Sequence, residues 1–353
     1  MPPKPDVTLL DIARSLGVSK AAVSLALAGK PGVSKETAAR VQRAAKTMGY
    51  RPNPVQEELM ALVRARRRSP SAETIAFINA FADPAILERT RGLKAFVSGT
   101  RQRARDYGYR MQVFQPRADG ISAERLAVIL KTRGIRGVIL GPRWADEPEF
   151  LLPWNEFSCV LLGESRSVAP ITRVCNHHAH TCALAFKEMA SLGYKRIGLA
   201  LARRFEAPHD FDFNSGVEVA RLHLGSEVLI SSFLHGEHNE ETLLRWLWDD
   251  QIDALITLDD TNIKPMRRHG VKMGRPVGFA VLDADPKSDE LAGVCQYTED
   301  ISASAVDILR GLLHAGARGV LSHPRVILIE GTWHPGKSAP RVASPRSKSF
   351  PSP

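Results

Sequence analysis

The stretch that decides the fold lies near the N-terminus, where residues 7–53 read VTLLDIARSLGVSKAAVSLALAGKPGVSKETAARVQRAAKTMGYRPN. Thr8 precedes eight residues of helical pattern that stop at Gly17, so the threonine can cap a short helix and the glycine can end it. Ser19 then caps a second helix over about residues 20–28. Two short helices joined by a tight glycine-containing turn predict a helix-turn-helix unit.

A third helix completes this region. Ser34 supplies its N-terminal cap and Gly49 stops it, while apolar residues recur at i, i+3, i+4 and i+7 between them. The outer face of the second helix is the surface that such a unit presents to a major groove, and capped helix ends nearby can hold phosphates. The sequence therefore predicts a small DNA-binding head; a three-helix bundle without a DNA role is the alternative.

The net charge of +10 is concentrated at the two ends of the chain. Residues 1–70 hold 13 basic and 5 acidic residues, residues 336–353 hold four basic residues and no acid, and the segment between them holds 31 bases and 33 acids. A basic head on a mildly acidic body is typical of a nucleic-acid-binding domain joined to a second module. The proline- and serine-rich tail, 336–353, is predicted to be disordered.

Residues 71–335 alternate between strand and helix patterns. Buried-strand signals include 74–78, 137–140 and 254–258, and helical stretches lie between the strands. Such alternation predicts parallel sheets flanked by helices, and a restart of the pattern near residue 175 predicts two similar lobes. Ligands in such folds bind at the carboxyl ends of the strands, here in the cleft between the lobes.

The head is similar, almost continuously from Val7 to Asn53, to the LacI/GalR family of bacterial repressors, and a weaker similarity extends to about residue 335. The resemblance implies an all-α helix-turn-helix head, residues 1–53, and a hinge helix with a basic linker, residues 54–70. It implies a periplasmic-binding-protein-like α/β body for effector binding and dimerisation over 71–335. The implied partners are a double-stranded DNA operator and a second copy of the chain, with a tetramer as the alternative assembly.

Carried over position by position, the resemblance assigns nine residues to DNA binding. Lys20, Ala21 and Leu25 match base-reading positions, and Thr8, Ser19 and Ser24 match phosphate contacts. Asn53 leads into the hinge, Gln56 replaces a small hinge residue, and Leu59 matches the leucine that wedges into a central base step in the minor groove.

The sequence departs from the family pattern at two positions of the second helix. Leu25 stands where the family usually has Arg or His, and Ala28 where it has Asn. Direct readout is therefore expected to depend on Lys20 and on apolar contacts to thymine methyl groups. Arg66, Arg67 and Arg68 either add phosphate contacts or form a solvated linker, and both interpretations stay open.

For the cleft, the resemblance implies an effector site at Glu164, Phe213, Asp259, Asp283 and Gln296, with Asp260 beside Asp259. Phe213 stands where the family has a sugar-binding Arg, so a planar group with five hydrogen-bond donors is lost. A sugar or sugar derivative is the ligand class that the family suggests, but the effector stays unidentified. The alternative is a degenerate cleft whose regulation comes from a protein partner.

Other functional classes lack their signatures. The chain has no GxxxxGK[ST], no GxGxxG after a strand and no GxSxG, so no enzyme activity and no cofactor are predicted. His177 and His180 share a helix face, but a metal site needs convergent ligands from elsewhere, and none is predicted.

The compartment follows from other features of the sequence. The four cysteines form no CxxC pair, there is no secretory signal, and no apolar run approaches the roughly 18 residues of a membrane span. We expect a cytoplasmic protein that does not enter the membrane.

Overall fold

A computed structural model of the chain describes residues 7–27, 32–50, 73–143, 148–163, 170–203, 212–235, 240–260, 263–268, 274, 277–320 and 322–342. The predicted site residues Asn53, Gln56, Leu59 and Glu164, the hinge and Arg66 to Arg68 lie outside the described residues. The chain divides into two units, Met1–Ser71 and Ala72–Pro353.

Over residues 7–27 and 32–50, the described part of the first unit, the chain forms three helices, α1 (Leu9–Leu16), α2 (Lys20–Leu27) and α3 (Lys35–Met48). Each begins after a hydroxyl side chain that accepts a hydrogen bond from the backbone of its first turn. Gly17 and Gly49, which end α1 and α3, adopt the left-handed conformation that glycine reaches without strain. The apolar faces of the helices bury one core: Ile12, Ala13, Val23, Ala26, Val41 and Ala45.

The described residues of the second unit form two six-stranded sheets. The strands in chain order are β1 (Thr74–Ile78), β2 (Arg110–Phe114), β3 (Gly137–Leu140), β4 (Ser158–Leu162), β5 (Thr172–Asn176), β6 (Arg196–Ala202), β7 (Leu229–His235), β8 (Ala254–Thr257), β9 (Gly278–Val281), β10 (Ala292–Cys295), β11 (Val326–Ile329) and β12 (Thr332–His334). The first sheet has the order β11-β5-β4-β3-β1-β2 and the second β12-β10-β9-β8-β6-β7. All pairs are parallel except β10 with β12.

Helices cover both faces of each sheet. They are α4 (Ile86–Arg89), α5 (Arg91–Asp106), α6 (Ala123–Thr132), α7 (His178–Ser191), α8 (Asp212–Leu224), α9 (Glu240–Asp249), α10 (Ile263–Arg268) and α11 (Thr298–Ala315). Because both faces are covered, the central strands are buried throughout and read as continuous apolar runs. The predicted fold class, a helix-turn-helix head with two lobes of parallel sheet flanked by helices, is confirmed.

The chain passes between the two lobes three times. It leaves the first sheet after β5 to form α7, returns after β10 to form α11, and passes again between β11 and β12. α11 packs against α5 of the first lobe. Gly99 of α5 allows this approach, since a Cβ built there would lie 2.8 Å from the Glu299 Cα.

The prediction of a disordered tail is wrong for residues 336–342. Residues 336–342 pack on the second lobe, where the Ser338 hydroxyl donates to the Phe279 carbonyl at 2.7 Å and accepts from the Ala292 amide at 2.9 Å. The Val342 amide also donates to the Leu192 carbonyl at 2.8 Å. The two Ser338 bonds supply partners to buried backbone groups of β9 and β10, and the amino-acid composition of the tail gives no sign of them.

Among the described residues, no helix combines the length and the apolar composition needed to cross a membrane.

Candidate nucleic-acid interface and inter-lobe cleft

The outer face of α2 carries the residues expected to read DNA. Val23 and Ala26 point into the head core, whereas Lys20, Ala21 and Ser24 are exposed. The helix therefore separates a packing face from a face available to a partner, and the charge on that face is the Lys20 ammonium.

Leu25 differs from its neighbours on that face because it is half-buried. Its Cδ1 lies 3.1 Å from the position that a Cβ of Gly32 would occupy, and Gly32 has a φ of +126°. Leu25 therefore packs against Gly32, outside the head core. Part of its side chain remains available for apolar contact.

The N-termini of α1 and α2 supply the two capping hydroxyls expected to contact phosphate. The Ser19 Oγ accepts from the Ala22 amide at 3.1 Å and is exposed. The Thr8 hydroxyl donates to the Asp11 carboxylate at 2.7 Å, and this bond is the main reason that the pKa of Asp11 is lowered. Ser19 can donate its proton to an anion, whereas Thr8 must first release Asp11.

Three of the predicted cleft residues follow neighbouring strands of the second sheet. Asp259 comes after β8, Asp283 after β9 and Gln296 after β10, all at the carboxyl edge. The Asp283 amide donates to the Leu258 carbonyl at 3.0 Å, and the Gln296 Nε2 donates to the Leu282 carbonyl at 2.8 Å. The structure thus brings together these three half-buried side chains, which lie between 13 and 37 residues apart in sequence.

An ion pair connects this group to the first lobe. Arg91, the first residue of α5, places an Nη atom 2.8 Å from the Asp283 Oδ2 and also donates to the Asp283 carbonyl. The pKa of Asp283 is raised to about 6, mainly because burial disfavours the carboxylate; Arg91 opposes this rise, and the neighbouring Asp259 adds to it. The Asp283 side chain is 26% exposed, so a ligand in the cleft could still reach it.

The expectation that Phe213 contacts an effector is corrected by its burial. Phe213 is 1% exposed, belongs to the hydrophobic core of the second lobe and packs its ring 4.4 Å from the ring of the buried His178. It has almost no surface to offer to a ligand. Its role is to anchor α8 in the core.

Sequence reasoning missed Arg91. It begins a helix of the first lobe and lies 192 residues from its partner. No local pattern reports such a pair, because periodicity and spacing describe only neighbours along one element.

Comparisons with known proteins agree with this geometry. Residues 8–53 match the family model described as bacterial regulatory proteins, lacI family. The HTH-type transcriptional regulator PtxS of Pseudomonas putida is 23% identical over 351 residues, covering 93% of this chain and 96% of PtxS. The HTH-type transcriptional regulator reg1 of Streptomyces lividans is 28% identical over 226 residues; the match covers 62% of this chain and 60% of reg1, less than two thirds of that relative.

Solved structures share the fold. The transcriptional regulator CelR in complex with cellobiose superposes with a TM-score of 0.59 at 20% identity, over 95% of this chain and all of that one. The lac repressor dimer bound to operator and an anti-inducer gives a TM-score of 0.54 at 15% identity, with the same shares covered.

A helix-turn-helix head followed by a two-lobed parallel α/β body defines a class of DNA-binding transcriptional regulators. Residues 8–53 match the lacI family model of bacterial regulatory proteins, and the resemblance inferred from the sequence is confirmed.

Proposed function

We propose that this protein is a cytoplasmic repressor that binds a near-palindromic operator as a homodimer. The observation that carries the proposal is the exposed face of α2, on which Lys20, Ala21 and Ser24 stand clear of the head core. One helix-turn-helix reads one half-site, so a second copy is needed to read a symmetric operator. Asn53, Gln56 and Leu59 are proposed to form the hinge that enters the minor groove.

The cleft is proposed to bind a small polar effector through Asp259, Asp283 and Gln296, with Glu164 as a further contact. Hydroxyl-rich ligands such as sugars suit carboxylate and amide groups at strand ends. Effector binding would change the orientation of the lobes and so the affinity of the hinges for DNA.

Two observations favour the alternative, regulation by a protein partner. Asp283 is already paired with Arg91, and Phe213 is packed in the core where the family has a sugar-binding Arg. A thermal-shift screen of small polar ligands separates the two proposals, because specific binding raises the melting temperature with ligand concentration. A ligand that raises it in the wild type but not in Asp259→Ala supports the effector; no hit supports the partner.

The test of the main proposal is selection of bound sequences from random duplex DNA, with the full-length protein at fixed salt. We expect a palindromic consensus with a flexible central step, as two half-site readers and a hinge that kinks DNA require. A consensus for a single half-site would overturn the dimer. Salt-sensitive binding without any consensus would overturn sequence-specific regulation.

A further inference from the structure

A cluster of two histidines and a glutamate lies outside both sites described above. His177 follows β5, His180 lies in the first turn of α7, and Glu330 follows β11. The histidine rings stack with centroids 5.6 Å apart, and the His177 Nδ1 lies 3.9 Å from the Glu330 Oε1. One potential ligand atom from each residue lies within 4.8 Å of the other two.

The donor set matches a particular class of ion. Imidazole nitrogens combined with one carboxylate oxygen are typical ligands of zinc and neighbouring divalent transition metals, whereas calcium and magnesium prefer oxygen alone. In a tetrahedral zinc site such atoms stand about 3.4 Å apart, so side-chain rotation has to close roughly an ångström. The histidines are half-buried and Glu330 is exposed, which leaves room for that rotation and for a water ligand.

The backbone that carries the three residues is fixed. The His177 amide donates to the Ile329 carbonyl at 2.9 Å, so the two segments are joined next to the cluster. The buried Asn176 side chain donates to the same carbonyl at 3.2 Å and accepts from the Thr181 hydroxyl at 2.8 Å. Prior fixing of ligand-bearing backbone reduces the entropy that a metal must overcome on binding.

We propose that His177, His180 and Glu330 bind a divalent transition-metal ion, with zinc as the best match. The site lies where two segments pass between the lobes, β5 to α7 and β11 to β12. A bound ion would tie these segments together and restrict reorientation of the lobes. That consequence rests on the proposed function, whereas binding itself does not.

The test is calorimetric titration of Zn²⁺ into the full-length protein, stripped with a chelator and carrying no histidine tag. We expect one equivalent per chain, and a visible absorption band when Co²⁺ replaces Zn²⁺. Both His180→Ala and Glu330→Gln should weaken binding by more than the roughly 10- to 100-fold that loss of an outer-shell partner costs. His314→Ala, which removes an exposed histidine at the end of α11, is the matched control and should bind as the wild type does.

Two results would overturn the proposal. One is the lack of saturable one-equivalent binding, which would leave a solvated pair between His177 and Glu330. The other is equal affinity in the wild type and in Glu330→Gln. Since Glu330 is exposed, this substitution should leave the melting curve of the metal-free protein unchanged, and the comparison does not depend on a variant that fails to fold.

Discussion

Individual side chains on the DNA-binding head serve both folding and recognition. Thr8 caps α1 and donates a hydrogen bond to Asp11, Ser19 caps α2, and Leu25 packs against Gly32. Lys20 has none of these structural tasks and is exposed at the start of the helix. Its ammonium group is therefore the cleanest probe of recognition by this surface.

Replacing Lys20 with Ala should change base preference at one symmetric position in each half-site. A base-edge contact typically contributes about 1–3 kcal/mol of discrimination, and phosphate contacts contribute none directly. Competition between the selected operator and its single-base variants measures the change. Lys35→Ala, an exposed lysine at the start of α3, removes the same charge and should leave the preference intact. A uniform loss of affinity in Lys20→Ala would identify a phosphate contact instead.

Helices and strands could be predicted from the sequence where neighbouring residues specify them, through helix caps or through apolar runs. The head helices were predicted almost to the residue because capping hydroxyls and left-handed glycines mark their ends. The strands β1, β3 and β8 were predicted because they are buried apolar runs. By contrast, β5 (TRVCN), β10 (AGVC) and the three-residue β12 were missed. β5 mixes polar with apolar residues, and β10 contains Ala and Gly, which are depleted in strands, so neither is an apolar run of strand-forming residues.

The residues of the candidate sites also divide into those that the sequence predicted and those that it did not. Asp259, Asp283 and Gln296 were found because each follows a strand and matches a family position. Arg91 and Glu330 were not, because each meets its partner only through the tertiary fold. The sequence argument against a metal site rested on the missing third ligand, and Glu330 is such a ligand, delivered by a strand that ends far from the histidines along the chain.

The packing of α5 on α11 predicts how substitution of a glycine at their contact changes the stability of the protein. Gly99→Ala should lower the free energy of unfolding by about 1–3 kcal/mol, because its new Cβ meets the Glu299 backbone, which has little freedom to move. Gly92→Ala on the same helix is the control; no heavy atom lies within 4 Å of its Cβ position. Its effect should be neutral or stabilising by up to about 1 kcal/mol, since alanine favours helix. Denaturant unfolding of the variants measures both, and equal destabilisation would contradict the proposed contact.

For the whole molecule, the pair between Arg91 and Asp283 links the two lobes at the cleft. The pKa of the Asp283 carboxyl is raised to about 6 in the folded protein, whereas it is near the ordinary 3.8 in the unfolded chain. The folded protein therefore binds the proton of this carboxyl more tightly than the unfolded chain does. The stability that this proton contributes is present below about pH 4 and is lost as the pH rises through 6.

Asp283→Asn should therefore gain stability relative to the wild type as the pH rises from about 4 to 7, by up to about 3 kcal/mol. Unfolding curves of the two proteins across this range measure the difference. Asp119→Asn, an exposed aspartate in the first lobe, should track the wild type. A constant difference between Asp283→Asn and the wild type would show that Asp283 keeps an ordinary carboxyl pKa.

The three passages of the chain between the lobes determine the order in which the molecule can be completed during synthesis. The first sheet receives its last strand, β11, only when residues 326–329 emerge, after almost the whole second lobe has been made. Until then the β5 edge lacks its partner, and the first lobe, though it begins near residue 73, cannot finish ahead of the second. The head, whose three helices are contiguous, has no such dependence and can fold while the rest is still on the ribosome.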